Sequence, residues 1–163
     1  MSTRTVVLFR DWLTLIKSRF MTNESIRVRK VSSGKEMDAV FEIRQKVFVD
    51  EQQVDPEEEY DNFEDTSHHF IAFADDQPVG TARWRKTPNG IKLERFAVLS
   101  SHRNMGIGQE IVRAVLNDIP HRENIYLHSQ LPACSLYRRF GFVPQGPQFE
   151  EANIMHYKMV LKD

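Results

Sequence analysis

The spacing of apolar positions changes several times along this chain, and each change predicts an element. Ile26 to Val31 alternates apolar and basic residues, the period of a half-exposed strand. Ser33 and Glu36 then form an S-x-x-E capping box. Behind it Met37, Val40, Phe41, Ile43, Val47 and Phe48 recur on one side at helical spacing. The run VDPEEEYDNFEDTS has one proline and no apolar period, and reads as a loop. From His69 the runs HFIAFA, VGTARWRK and IKLERFAV, divided by DDQPVG and TPNG, predict a meander of three antiparallel strands. Asn89-Gly90 is the tight-turn signal, because both residue types tolerate positive φ. Ile107, Ile111, Val112, Val115, Leu116 and Ile119 mark one face of a helix that Pro120 closes. NIYLHS predicts a buried strand, ACSLYRRF a short helix stopped at Gly141, and IMHYKMVL a last alternating strand. Strands paired by hairpins and then alternating with helices predict an α/β (α+β) domain built on a mixed sheet.

Residues 1–25 stand apart from this pattern. Val6, Val7, Leu8, Phe9, Trp12, Leu13, Leu15 and Ile16 make the segment apolar, but Arg10, Asp11, Lys17 and Arg19 interrupt it. It lacks the unbroken apolar centre and small-residue cleavage site of a secretory signal, and no stretch is long and apolar enough to span a bilayer. We read 1–25 as an N-terminal extension, either the product of a start upstream of Met21 or a helix that would pack on the domain or on a second subunit, and 26–163 as one domain. A chain of 163 residues can bury a continuous core. Its formal net charge of -1 argues against a general nucleic-acid binder. The only cysteine, Cys134, precludes an internal disulfide and favours a reducing, cytoplasmic setting.

The informative chemistry lies in ERFAVLSSHRNMGIGQEIV, which runs strand, short polar loop, helix. Gly106 and Gly108 let backbone approach a ligand without a Cβ in the way. The helix they open presents unpaired N–H groups and the positive end of its dipole, a ready pyrophosphate site. Arg103 adds a fixed charge suited to phosphate. A dinucleotide fingerprint would need a third glycine where Ile111 stands, and a P-loop would need Gly-Lys-Ser/Thr where Gly108-Gln109-Glu110 stands. A glycine pair alone is often only tight strand–helix packing; the arginine three residues earlier strengthens the phosphate reading.

Arg103, Gly106 and Gly108 match R/Q-x-x-G-x-G/A, and with it the chain resembles the GNAT superfamily of N-acyltransferases. FEIRQKVFVDEQ, the acidic run, HFIAF…PVGTARW and LYRRFGFVPQG…F…H extend the resemblance over nearly all of the domain, most closely to the small bacterial subgroup typified by ElaA. Ser100, His102 and Asn104 depart from the usual proline, tyrosine and glycine, so Asn104 must take up the conformation a glycine would have had. The resemblance implies the GNAT fold: a mixed, mostly antiparallel sheet of six to seven strands flanked by about four helices. It also implies acetyl-CoA as cosubstrate, with pantetheine along Phe96, Ala97 and Val98 and the pyrophosphate over Arg103, Asn104, Met105, Gly106, Ile107, Gly108 and Gln109. An amine acceptor, a small molecule or a peptide, would attack the thioester directly, and a strand N–H would steady the oxyanion. Tyr137 matches the position where the superfamily places its general acid. A homodimer is an expectation at the level of the family only.

Other residues carry two readings each. Glu94 alternates with Ile91 and Leu93, so it leaves the core-facing set beside the cofactor segment, either as a base or amine-orienting group or as an ordinary strand carboxylate. Arg44 sits inside an apolar helical stripe; a buried ion pair is the more economical account, and a substrate contact the alternative. His69 and His128 are further acceptor-site candidates, although a lone strand histidine is more often structural. The acidic run is either a solvated surface or a mouth attracting cationic amines. Cys134 lacks a partner spacing for nucleophilic catalysis, and no ligand spacing suggests a metal. Two other functions remain open: a non-catalytic acyl-CoA sensor, and an autoinducer-synthase-like acyltransferase.

Overall fold

A computed structural model describes residues 26–120 and 124–162, so the expectation for 1–25 lies outside the described residues. Eight strands form one sheet: β1 (Ile26–Lys30), β2 (His68–Ala74), β3 (Gln77–Thr87), β4 (Gly90–Val98), β5 (Ile125–Gln130), β6 (Phe142–Pro144), β7 (Phe149–Glu151) and β8 (Ile154–Leu161). Their order is β1-β2-β3-β4-β5-β8-β6, with β7 also paired to β8. Every pairing is antiparallel except β4 with β5. The sheet has more strands than the six to seven expected, because β6 and β7 are three-residue strands, too short to carry a periodic signal.

Helix α1 (Gly34–Arg44) starts where the capping box predicts, with the Ser33 hydroxyl accepting from the Glu36 amide at 3.3 Å. The Glu36 carboxylate reaches one residue further back than the motif requires and accepts from the Ser32 amide at 2.8 Å. Gln45–Glu51 continues the helix with π-helical turns. The other helices are α2 (Pro56–Glu59), α3 (Ile107–Asp118) and α4 (Cys134–Arg138).

The two sheet faces bury different helices. Helix α3 inserts Ile107, Ile111, Val112 and Val115 against Ala72, Trp84, Ile91 and Leu93, while Ile43, Val47 and Phe48 of the first helix pack on Ala97. Each fully buried aliphatic side chain contributes about 1.5–3 kcal/mol, so this packing fixes the strand–loop–helix segment rigidly. Two turns differ from expectation. The β2–β3 turn contracts to Asp75-Asp76, both left-handed at φ 47° and 65°. The β3–β4 turn centres on Pro88-Asn89, and Gly90 alone takes positive φ, 121°. Proline presets the first turn position, which moves the turn one residue upstream. No helix among the described residues is long and apolar enough to cross a membrane.

Candidate active site

Strands β4 and β5 pair only from Ile91 to Leu93 with Ile125 to Leu127. Beyond Leu93 they separate, while β4 stays on β3 through Ala97–Thr81 and Val98–Gly80. A bulge causes the departure: Arg95 and Phe96 of β4 stand against Ala82 alone, with Arg95 left-handed at φ 60°. A non-glycine residue held there stores local strain. The resulting wedge leaves the β4 edge at Phe96, Ala97 and Val98 without a β5 partner.

The chain then reaches the opening of α3. Asn104 is left-handed at φ 61°, the conformation expected where the related pattern has glycine, and one that asparagine tolerates better than most residues. Gly106 caps the helix at φ 84°, no side chain satisfies its first turn, and a Cβ placed on Gly106 would meet nothing within 4 Å. The first helical bond runs from the Glu110 amide to the Gly106 carbonyl at 3.2 Å, so the amides of Ile107, Gly108 and Gln109 have no intrahelical acceptor. This uncapped, open helix start fits a phosphate-bearing group. Arg103 lies beside it, its Nε donating to the Val98 carbonyl at 3.0 Å and its fork to both oxygens of Glu51 at 2.5 and 2.7 Å. Hydrogen bonds from Arg103 draw the Glu51 carboxyl down. A carboxylate thus occupies the bidentate donors that a phosphate would also use.

A cavity of about 590 Å³ opens on the wedge and brings together Glu94, Phe96, His128, Tyr137, Glu151 and His156. Tyr137 is 5% exposed and sits edge-on to Phe96 and Phe142, with ring centroids 5.6 and 6.1 Å away. Burial pushes its phenol above the ordinary range, so it stays protonated. Among the described residues Arg83 Nε is the one fully enclosed side-chain polar atom without a partner. Among the described residues the Tyr137 hydroxyl has no hydrogen-bond partner, and the residue lines the cavity.

The acidic run is more than a plain loop, and it is solvated over only part of its length. It contains α2, capped by Asp55, and a 3₁₀ turn at Glu64–Thr66, and it turns three carboxylates inward. Arg44 is fully buried and donates from Nε to Glu59 at 2.5 Å and to both Glu64 oxygens at 2.8 and 2.9 Å. Arg83, also fully buried, binds Asp61 at 2.5 and 3.0 Å and Glu94 at 2.9 Å, and Arg85 Nε holds the other Glu94 oxygen at 2.6 Å. Arg95, presented by the bulge, completes the set by reaching Glu59 at 3.1 Å and Asp61 at 3.3 Å. Four arginines thus balance four carboxylates, an arrangement that tolerates burial because every charge is paired. Burial opposes ionisation of Glu94, but Arg83 outweighs it and the carboxyl lies below its ordinary range. Glu94 is therefore a fixed anion in the cavity wall. Arg44 stands behind that wall and does not line the cavity. His69 is there too, its Nε2–H donating to the Glu64 carbonyl at 2.9 Å.

His128 does line the cavity, with Nδ1 3.4 Å from Glu151. Its hydrogen bond to that carboxylate draws Glu151 down to about 2. Three features escaped sequence reasoning: the Glu51–Arg103 pair, a hydrogen bond of 2.8 Å from Gln130 to Gln52, and His156 in the cavity. The first two join residues 52 and 78 positions apart, a span no local pattern encodes.

Comparison with known proteins identifies the family of this fold. Residues 28–162 match the Acetyltransferase (GNAT) domain family. The uncharacterized N-acetyltransferase YjcF of Bacillus subtilis is 37% identical over 123 residues, 74% of this chain and 88% of that protein. ElaA of Escherichia coli is 27% identical over 128 residues, 74% of this chain and 84% of ElaA. Its crystal structure superposes with a TM-score of 0.74 at 25% identity over 84% of this chain and 99% of ElaA. An acyl-CoA N-acyltransferase from Pseudomonas aeruginosa shares the fold at a TM-score of 0.73, 24% identity and the same coverage of 84% and 99%. The chain therefore belongs to the GNAT acetyltransferase domain family.

Proposed function

We propose that this protein moves an acetyl group from acetyl-CoA to a primary amine by direct attack. The observation that carries the reading is the junction of an uncapped helix start, a strand edge without a partner and a buried tyrosine hydroxyl open to one cavity. Acetyl-CoA supplies the electrophilic thioester carbonyl. The amides of Ile107, Gly108 and Gln109, with Arg103, Asn104, Met105 and Gly106 shaping the approach, hold its pyrophosphate. The backbone of Phe96, Ala97 and Val98 holds the pantetheine along the wedge. An N–H of that strand edge steadies the charge developing on the carbonyl oxygen.

As the C–N bond forms and the C–S bond breaks, Tyr137 gives its proton to the departing thiolate. Its raised pKa suits this role, since the phenol arrives protonated at neutral pH. Glu94 is clamped by Arg83 and Arg85 and has its carboxyl drawn down, so it orients a cationic amine by charge and takes no proton. His128, paired with Glu151, lines the acceptor side with it. Arg44 and His69 act on the acceptor only through the ion-pair wall. The test is thiol release from acetyl-CoA in the presence of a panel of primary amines. Turnover with at least one amine, lost on Tyr137→Phe, is the expected result; no thiol release with any amine would refute the reading.

A further inference from the structure

Once Glu94 is recognised as a fixed anion, the reaction lacks a group to take the proton that an ammonium carries into the site. The cavity holds few choices. Asp61 and Glu94 are bound to arginines, Glu59 to Arg44 and Arg95, and His128 and Glu151 to each other. Lys92 has no lone pair to offer when charged, and Glu58 is an exposed residue at the mouth.

His156 differs from all of these. It is 7% exposed, lines the cavity and opposes Gln130 across the β5–β8 pairing. Its Nδ1 lies 2.7 Å from the Ile154 carbonyl. A carbonyl only accepts, so Nδ1 carries the hydrogen and the neutral ring keeps its lone pair on Nε2. Among the described residues Nε2 has no hydrogen-bond partner, and the residue lines the cavity. The ring is also held in place by Phe149, stacked at 5.8 Å and 23°. The two-residue β7–β8 turn that sets this geometry, Ala152-Asn153, is left-handed at both positions, φ 50° and 59°. A strained alanine there costs about 1–3 kcal/mol, which the packing around β7 and β8 must sustain.

We propose that His156 Nε2 is the general base that deprotonates the acceptor ammonium; this rests on the acyltransferase reading above. One of the three ammonium protons passes to Nε2 and on to solvent. The neutral nitrogen then attacks. A second proton replaces the one Tyr137 gives to sulfur, and the third stays on the amide, so the balance is one amide, one thiol and one released proton. The charged and titratable groups sharing the cavity with His156 are Glu151 from β7, His128 from β5, Lys92, Glu94 and Arg95 from β4, Arg85 from β3, Tyr137 from α4, Glu58 and Glu59 from α2, and Asp61 just after it; Lys158 lies on its own strand.

The test uses the wild-type chain and His156→Gln with an amine that gives thiol release. Without its base the enzyme can use only amine that is already neutral, and that fraction grows tenfold per pH unit below the amine's own pKa of about 10. The ratio of wild-type to His156→Gln kcat/KM should be about 100 or more at pH 7 and shrink steeply towards pH 9.5. Stabilisation by acetyl-CoA should remain the same in both proteins. A loss that is equal at every pH, or no loss at all, overturns the proposal while leaving the acyltransferase reading intact. If the wild type itself releases no thiol with any amine, both fall together.

Discussion

The two sides of the cavity are made in different ways. The proposed cofactor side is a single stretch, Phe96 to Gln109, built mostly from backbone: a strand edge, two left-handed residues and an uncapped helix start. The proposed acceptor side is built from side chains far apart in the chain, with Arg44, Glu59, Arg83 and Glu94 joined in one ion-pair cluster and His156 across the cavity. Backbone sites depend on conformation and tolerate a change of side chain. Side-chain sites depend on every partner being present. Mutations should therefore damage the two sides differently.

The largest effect should come from breaking the wall. Arg44→Met leaves Glu59 and Glu64 short of a buried partner and should cost about 3–5 kcal/mol of stability, read as a lowered denaturant midpoint. A change below about 1 kcal/mol would mean that the cluster is not the keystone of the acceptor side. Next, Tyr137→Phe removes one hydroxyl and no packing. It should lower kcat about 100-fold, roughly 2.7 kcal/mol, with the acetyl-CoA Kd unchanged; a weakened Kd would place Tyr137 in cofactor binding instead.

On the cofactor side, Gly106→Val puts a β-branched residue at φ 84°. It should weaken acetyl-CoA binding by about tenfold, since strain of this kind costs about 1–3 kcal/mol, and calorimetric titration would measure it. The wall should also respond to acid. Burial raises the Asp61 carboxyl, but Arg83 outweighs it and holds the group at about 2, below its ordinary 3.8. A depressed folded-state pKa stabilises above the ordinary value and is lost as pH falls towards the folded one. The midpoint should accordingly drop between about pH 4 and pH 2, and less steeply in Asp61→Asn. The smallest effect is reserved for Glu51→Gln, which frees the Arg103 fork and should tighten CoA binding about threefold by removing a competing anion.

This contrast also explains what was legible in the sequence. The helix start could be read because Arg103, Gly106 and Gly108 fall within six consecutive residues, and because apolar spacing on either side identified a strand and a helix. Alternation along β4 correctly took Glu94 out of the set facing Ile91 and Leu93. It could not show that the other sheet face is covered by the first helix and filled by arginines, since a strand's period says which side a residue faces and not what lies there. The bulge at Arg95 was invisible, because a left-handed arginine has no signature in composition. Arg44 was legible as a buried ion pair, but its partners were not, as they depend on how the acidic run folds back. His156 sits on an ordinary alternating strand, and only the Ile154 carbonyl and an Nε2 without a partner among the described residues distinguish it.

The central claim is that the uncapped start of α3 and the β4 wedge form a CoA site. A thermal-unfolding series with acetyl-CoA, free CoA and NAD tests it most directly. Acetyl-CoA and CoA at about 100 times their Kd should each add about 2.7 kcal/mol of stability, and NAD should add none. No shift with saturating acetyl-CoA would mean that the glycine turn serves only to pack strand against helix, and the account of the site would be wrong.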